Sequence, residues 1–434
     1  MNLQPTVSNY SAPGSVAAHQ NAQTLPSEIT LMIPDDDVID PELSIVIPAL
    51  NEEITISQFV EWCKQGIANA GISAEILIID SSSDRTADIA VAHGARVLKC
   101  PKRGLGRAYI DAIPHIRGRY VLMGDADCTY DFREIRPFVK AFREGFEFVM
   151  GSRFRGSIAS GAMPALHRYF GTPLTTWILN VMYRTRFTDI HCGMRGVTRD
   201  GLIRMELASQ SWEYASEMVL KSVHLGLLST EVPVHFLKDP EGRLSHHARS
   251  GWLSPWRAGW INLRAMFVFG ADFFLLVPGG VLLALGFPLL FVLAFGPLSV
   301  SGVTLSLNTM VASLFATLVG LQLLCMGIVA QCIYDRTGRK RARWFSLLRY
   351  NPVVLTSLGV ITLGLGLAAS FILAFAHAGY RVPQTILLLN HRAILGVFLM
   401  ISGVQLFVTM LVVQALRIYL PDAAPSSGDG RRAA

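Results

Sequence analysis

The sequence predicts an α/β domain built on a mostly parallel sheet, then a helix lying on the membrane surface and an α-helical domain of four membrane spans. Two observations predict it. Between Leu43 and Met123, strands apolar on both faces alternate with helical stretches, the pattern of a parallel sheet covered by helices on either side. Beyond residue 270, four apolar stretches run approximately over 271–296, 303–333, 353–379 and 393–420, each long enough for a bilayer core that takes ~20 helical residues to cross. The chain of 434 residues, 51% hydrophobic, has room for two or three domains.

Each element follows from its residues. Residues 1–40, rich in Ser, Pro and Gln and closing in Asp35–Asp37, read as a disordered tail without a secretory signal. Residues 41–250 form the α/β domain. Leu43–Ile47 is a β-branched strand, followed by Pro48–Glu53 and an amphipathic helix to Ala70. Ile76–Ile79 is a second strand ending at Asp80, whose Ser81–Thr86 turn supplies capping residues for a helix over Ala87–Ala92. Arg96–Lys99 is a third strand, Gly106–His115 a helix, and Tyr120–Met123 a fourth strand. Phe148–Phe154 reads as another strand opening into a basic loop, and Pro164–Arg184 as a mixed apolar and aromatic helix. In residues 251–270, Trp256, Trp260, Phe267 and Phe269 among Arg257 and Arg264 suggest an interfacial amphipathic helix rather than a plain linker. The spans occupy 271–420, and 421–434 is a second disordered tail.

Charge sets the orientation. The connection between the second and third spans holds Arg336, Arg339, Lys340, Arg341, Arg343 and Arg349, whereas that from Gly296 to Val303 has no charge. Basic residues stay on the cytoplasmic side, so the α/β domain and both termini are expected there, at the inner (cell) membrane. The net charge of +6 is accounted for by topology and anionic headgroups, and no nucleic-acid partner is expected. Six cysteines without CxxC or finger spacing fit a reducing compartment.

In parallel sheets, ligands bind at the carboxyl ends of the strands, and Pro48–Glu52, Asp80–Asp84 and Asp125–Asp127 all fall there. Two carboxylates two residues apart repel unless a cation sits between them. Oxygen-only ligands suit Mg2+ or Mn2+ shared with substrate phosphates. An acidic surface loop is the other reading of Asp125 and Asp127.

From Leu43 to Trp260 the chain resembles the family-2 glycosyltransferases, and among them the polyprenyl-phosphate group typified by dolichyl-phosphate mannose synthase. The elements occur in order: Val46-Ile-Pro-Ala-Leu-Asn-Glu52, Ile79-Asp-Ser-Ser-Ser-Asp-Arg-Thr86, Arg103-Gly-Leu-Gly-Arg-Ala108, Gly124-Asp-Ala-Asp127, Gly151-Ser-Arg153, Asp189-Ile-His-Cys-Gly-Met-Arg195 and Glu213-Tyr-Ala-Ser-Glu-Met218. The resemblance implies a Rossmann-like GT-A fold. It implies donor-nucleotide contacts at Pro48, Ala49, Asn51, Glu52, Asp80, Ser82, Arg103, Gly104, Asp125 and Ala126, with Asp125 and Asp127 on the metal. Thr129 stands where the family often places a Gln, which leaves that ligand position open to water.

The implied reaction is inverting transfer of a sugar from a nucleotide donor, UDP-linked favoured over GDP-linked, to a membrane polyprenyl phosphate. That phosphate is already anionic near neutral pH, its second pKa being ~6, so no strong base is needed. Bringing two anions together needs the cation and guanidinium groups. Arg153, Arg168 and Arg195 are the candidates, with Arg243, Ser245, His246 and His247 as a clamp on phosphate or acceptor. Asp127, Asp189, Glu217 and Arg195 are the catalytic candidates, and Glu213 is the rival to Glu217 on the same helix face. Nucleotide sugar, polyprenyl phosphate and bilayer are the expected partners, and a homo-oligomer is compatible. A processive polysaccharide synthase should carry Gln-X-X-Arg-Trp, but Lys340 stands where Gln is needed before Arg343-Trp344. A flippase should have ionisable residues in its spans, which here hold almost none; another lipid acceptor stays open.

Overall fold

In the computed structural model, residues 28–240, 242, 260, 263–264, 266–268, 270–335, 338–377, 379–380 and 387–419 are described. Eight strands form one sheet: β1 (Thr30–Met32), β2 (Leu43–Ala49), β3 (Ala74–Asp80), β4 (Arg96–Lys99), β5 (Tyr120–Met123), β6 (Phe148–Ile158), β7 (Arg195–Thr198) and β8 (Ser229–Phe236). Their order is β1-β4-β3-β2-β5-β7-β6-β8. The helices are α1 (Ile56–Ala70), α2 (Thr86–Ala92), α3 (Leu105–Ala112), α4 (Arg136–Arg143), α5 (Thr172–Tyr183), α6 (Arg199–Met205) and α7 (Tyr214–His224). Strands β4, β3, β2 and β5 run parallel, and β8 is parallel to β6, while β7 is antiparallel to both β5 and β6. The central strands β3 and β5 are buried at every position, which is why their sequences are apolar without alternation. This is the mostly parallel sheet that the strand pattern predicts, in the GT-A layout that the resemblance implies.

Three local differences have physical causes. Thr30–Met32, inside the expected disordered tail, pairs antiparallel with β4, Leu31 opposite Leu98. It covers an edge whose amides would otherwise be unpaired, and three residues are too few to show a period. The helix expected over Gly106–His115 ends at Ala112, and a 3-10 turn over Ile113–His115 follows, because Pro114 has no N–H to continue the ladder. The helix expected over Pro164–Arg184 is a π-helical turn, His167–Gly171, continued by α5.

The chain is a multi-pass membrane protein, with helices Ala271–Leu293, Leu307–Tyr334, Tyr350–His377 and Leu387–Tyr419 as the four spans. A small hairpin, Leu298–Val300 with Val303–Leu305, joins the first two. The basic connection forms a helix, Arg339–Leu347. Glycines let the spans pack closely: a Cβ on Gly279 would meet Gly320 O at 2.9 Å, and one on Gly364 would meet Gly396 O at 2.5 Å. Of the expected interfacial helix, residues 260, 263–264 and 266–268 are described and are helical. Met266 there is buried against the α/β core, while Trp260 and Phe267 are exposed; Trp256, Arg257 and Phe269 lie outside the described residues.

Candidate active site

Because β3, β2 and β5 are parallel neighbours, with Ala49 opposite Asp80 and Val46 opposite Met123, the loops after them leave one sheet edge together. The first two are wired to each other. The Asn51 amide donates to Ser82 Oγ (2.7 Å), the Ser83 amide to Asn51 Oδ1 (3.0 Å), and the Glu52 amide to Thr86 Oγ1 (2.9 Å). Asn51 adopts φ 52°, a left-handed conformation that Asn tolerates. Pro48 is half-buried and Ala49 buried at the end of β2.

Asp80 is fully buried. Its Oδ1 accepts the Ser82 amide at 3.2 Å, and its Oδ2 has no hydrogen-bond partner among the described residues. Burial pushes its carboxyl above the ordinary aspartate range, and the hydrogen bonds from Ser82 only partly oppose this. A buried acceptor oxygen at a strand end suits the N–H edge of a nucleobase.

The third loop carries Asp125, Ala126 and Asp127. Asp127 Oδ1 accepts the Thr129 amide (3.0 Å) and hydroxyl (2.6 Å), so Thr129 shapes the turn. Asp125 lies among Tyr109, Tyr130 and Tyr214, whose hydroxyls are pushed up by burial first and by the Asp125 charge among the further causes. Tyr109 Oη donates to Gly124 O (3.0 Å), and Tyr130 Oη accepts the Gly193 amide (2.8 Å). A Cβ on Gly193 would fall 2.5 Å from Asp125 Oδ2, so the absent side chain keeps room beside that carboxylate. Hard oxygen donors with space next to them fit a Mg2+ or Mn2+ ion. No group of three or more His, Cys, Asp and Glu that could hold a metal occurs among the described residues, so the ion's other ligands would be substrate oxygens and water. Gly193 was not singled out in the sequence, where only its place inside the Asp189–Arg195 motif hinted at it.

The motif arginines are placed differently from an open phosphate clamp. Arg153 grips Asp189 in a buried two-point pair, Nε to Oδ2 at 2.7 Å and Nη2 to Oδ1 at 2.8 Å, and its amide also reaches Oδ2 (3.1 Å). Arg195 is buried and donates to the backbone carbonyls of Ala215 (2.8 Å) and Cys192, beneath the Tyr214 ring. The two arginines thus hold the ends of the 189–195 segment. Charge is legible in sequence, but the partner that neutralises it is not. Burial also pushes the His191 imidazole down to about 4, so it is neutral near pH 7.

Glu217 has the geometry of a brace. It is fully buried, accepts the amides of Ala208 (2.9 Å) and Ser209 (2.8 Å), and pairs with Lys221. The 208–211 stretch it holds presses on the donor-side loop: a Cβ on Gly104 would meet Gln210 O at 2.3 Å and one on Gly106 would meet Ser209 O at 2.2 Å. Arg103 in that loop pairs with Glu28 at 2.9 Å, and Glu213 pairs with Arg264 ahead of the first span. Arg243, Ser245, His246 and His247 lie outside the described residues.

Arg168 lies half-buried on the π-helical turn, over the Tyr169 ring at 5.5 Å. Beside it, Leu166, Phe170, Leu174, Trp177 and Val181 are exposed at helical spacing, an apolar stripe facing outward. On the other side of α5, Thr175 Oγ1 shares a 2.9 Å hydrogen bond with His191 Nε2, two residues from Gly193.

A mostly parallel sheet with an acidic carboxyl edge, joined to a bundle of four long apolar helices, defines a membrane-bound α/β protein. The model of glycosyl transferase family 2 matches residues 44–205. Low-salt glycan biosynthesis hexosyltransferase Agl6 from Haloferax volcanii is 36% identical over 351 residues, 80% of this chain and 82% of its own length. Glycosyltransferase AglJ of the same organism is 30% identical over 67% of this chain and 92% of its own, and its dolichyl-phosphate hexose transferase is 27% identical over 45% and 82%. Among solved structures, glucosyl-3-phosphoglycerate synthase from Mycobacterium tuberculosis with Mn2+, uridine diphosphate and phosphoglyceric acid is 20% identical at a TM-score of 0.40, covering 52% of this chain and 78% of that one. The chain belongs to glycosyl transferase family 2, and it is a glycosyltransferase.

Removing the carboxylate that neutralises Arg153 tests the structural half of this site. Asp189→Ala leaves a buried guanidinium without its counter-charge and is expected to lose roughly 3–5 kcal/mol of stability, read as a lower melting temperature of the detergent-solubilised protein. The double variant Arg153→Met/Asp189→Leu is expected to recover much of the loss. Wild-type melting of Asp189→Ala would show that the pair does not hold the fold.

Proposed function

We propose that this glycosyltransferase transfers a hexose, with inversion, from a nucleoside-diphosphate sugar to a polyprenyl phosphate at the cytoplasmic leaflet. The observation that carries the reading is the short path from the exposed apolar stripe of α5 to the acidic edge. The apolar stripe of α5 faces outward, Thr175 on the same helix bonds His191, and Gly193 lies against Asp125. An acceptor whose tail lies along the bilayer and whose phosphate must reach a nucleotide sugar requires those two surfaces to adjoin.

In this reading the nucleobase N–H bonds Asp80 Oδ2, and the 51–53 and 82–86 loops close on base and ribose. Uracil and guanine both present such an N–H, and the UDP-linked donor is favoured. Asp125 and Asp127 would hold a divalent cation, whose charge would offset that of the donor diphosphate. A phosphate oxygen of the acceptor attacks the anomeric carbon from the face opposite the leaving group. The bond from that carbon to the diphosphate oxygen breaks, the electron pair departs with the nucleoside diphosphate, and the product is the polyprenyl-phosphate sugar. Arg168, the described candidate arginine beside the lipid-facing stripe, meets the acceptor phosphate. The buried Arg153–Asp189 pair, Arg195 and Glu217 position this machinery rather than touch the reacting atoms.

Asp127→Asn is expected to lower transfer on the order of 10²–10³-fold, measured as radiolabelled sugar passing into an organic extract containing undecaprenyl phosphate, with the melting temperature kept. Undiminished transfer would reject the metal role. A second expectation concerns pH. Only ionised Asp80 lacks a proton on its free oxygen, and burial raises its pKa, so acidification should weaken UDP binding at a higher pH than an ordinary aspartate would. Asp80→Asn should remove that pH dependence. Calorimetric titration across the acid range measures both, and a flat wild-type profile would contradict the base-binding role.

A further inference from the structure

Where the α/β domain meets the membrane bundle, a cavity of about 460 Å3 opens among the ends of α5 and α7, the start of the first span, the end of the second, and the basic helix. Its lining includes Tyr183, Arg184, Asp272, Gln331, Asp335 and Lys340. Asp272 lies in the first turn of the first span and Asp335 directly follows the second, so the cavity sits at the depth of the lipid headgroups.

Its chemistry is unusual for a contact between domains. Asp272 is only 5% exposed. Its Oδ2 is approached by Gln331 Nε2 and Lys340 Nζ, each at 3.4 Å, while its Oδ1 is buried with no hydrogen-bond partner among the described residues. The buried Tyr183 hydroxyl likewise has no partner among them. One group needs a donor and the other can donate. The charges among the lining residues named above balance, Asp272 and Asp335 against Arg184 and Lys340, so neither a pure anion nor a pure cation is favoured.

We infer that this cavity binds the headgroup of a zwitterionic phospholipid carrying a primary ammonium, with the ammonium on Asp272 Oδ1 and the phosphate facing Tyr183, Arg184 and Lys340. Phosphoethanolamine presents an N–H donor of positive charge and a phosphate two carbons away. A choline head has no N–H to give, and a glycerol head brings a net negative charge toward two carboxylates. The bound lipid bridges α5 and α7 to the first two spans and so fixes the α/β domain against the bilayer. This site is separate from the donor and acceptor sites proposed above, and its test does not require transfer activity.

The test is native mass spectrometry of the delipidated full-length protein titrated with dioleoyl phosphatidylethanolamine, phosphatidylcholine and phosphatidylglycerol. One phosphatidylethanolamine per chain is expected, bound roughly tenfold more tightly than the other two, as one charge-assisted hydrogen bond would give. Asp272→Asn should erase that preference while leaving phosphatidylcholine affinity unchanged. Equal binding of the three lipids, a preference for phosphatidylglycerol, or a preference surviving in Asp272→Asn would overturn the inference. So would displacement of phosphatidylethanolamine by undecaprenyl phosphate, which would make the cavity part of the acceptor site. Should the variant not fold, the comparison of the three lipids on the wild-type chain decides alone.

Discussion

The close approach of the Gly193 backbone to the Asp125 carboxylate governs the acidic edge of the sheet. It is possible only if the 189–195 segment lies flat against the loop after β5. Two buried arginines enforce that path, Arg153 through the Asp189 carboxylate at one end and Arg195 through the Ala215 and Cys192 carbonyls at the other. A guanidinium taken out of water must be matched by carboxylate or carbonyl oxygens, so each arginine fixes the backbone that supplies them. The Tyr130 hydroxyl, accepting the Gly193 amide, completes the arrangement from the side of the acidic loop itself.

A second tier positions the donor side. Glu217 and Lys221 together hold the 206–209 stretch, since Lys221 also donates to Glu206 O at 2.6 Å. That stretch and its continuation fill the space left by Gly104 and Gly106 at the start of α3. The acidic residues expected to face the acceptor, Asp189 and Glu217, are thus both buried, on Arg153 and on the amides of Ala208 and Ser209. The groups that remain at the strand ends are Asp80, Asp125 and Asp127, which is the division expected when a site is preorganised by a buried supporting layer.

The parallel half of the sheet was legible in the sequence because β2, β3 and β5 are covered on both faces and written as apolar runs. The acidic edge followed from where those runs stop. Strands β1, β7 and β8 were not legible: Thr30–Met32 is short and lies next to a polar stretch, Arg195–Thr198 carries an arginine whose burial is set by the Cys192 and Ala215 carbonyls, and Ser229–Phe236 contains Glu231, Pro233 and His235. The spans were legible from length and hydropathy alone, although their glycine contacts were not, since those depend on which helices meet. Among the candidate site residues, the carboxylates Asp80, Asp125 and Asp127 lie at the strand ends where their position in the sequence placed them. The buried partners of Arg153, Arg195 and Glu217 could not be read, because a charged residue in a motif looks the same whether it faces solvent or its own backbone. Gly193 gave still less signal, its function lying in the side chain it lacks.

The space that Gly193 leaves beside Asp125 is closed by Gly193→Ala. Calorimetric titration of UDP into the full-length variant, with and without Mn2+, separates cation-assisted binding from base recognition at Asp80. Mn2+ is expected to tighten UDP binding in the wild-type chain but to do so much less in the variant, while metal-free affinity is the same in both. Equal enhancement by Mn2+ in the two chains would contradict that expectation.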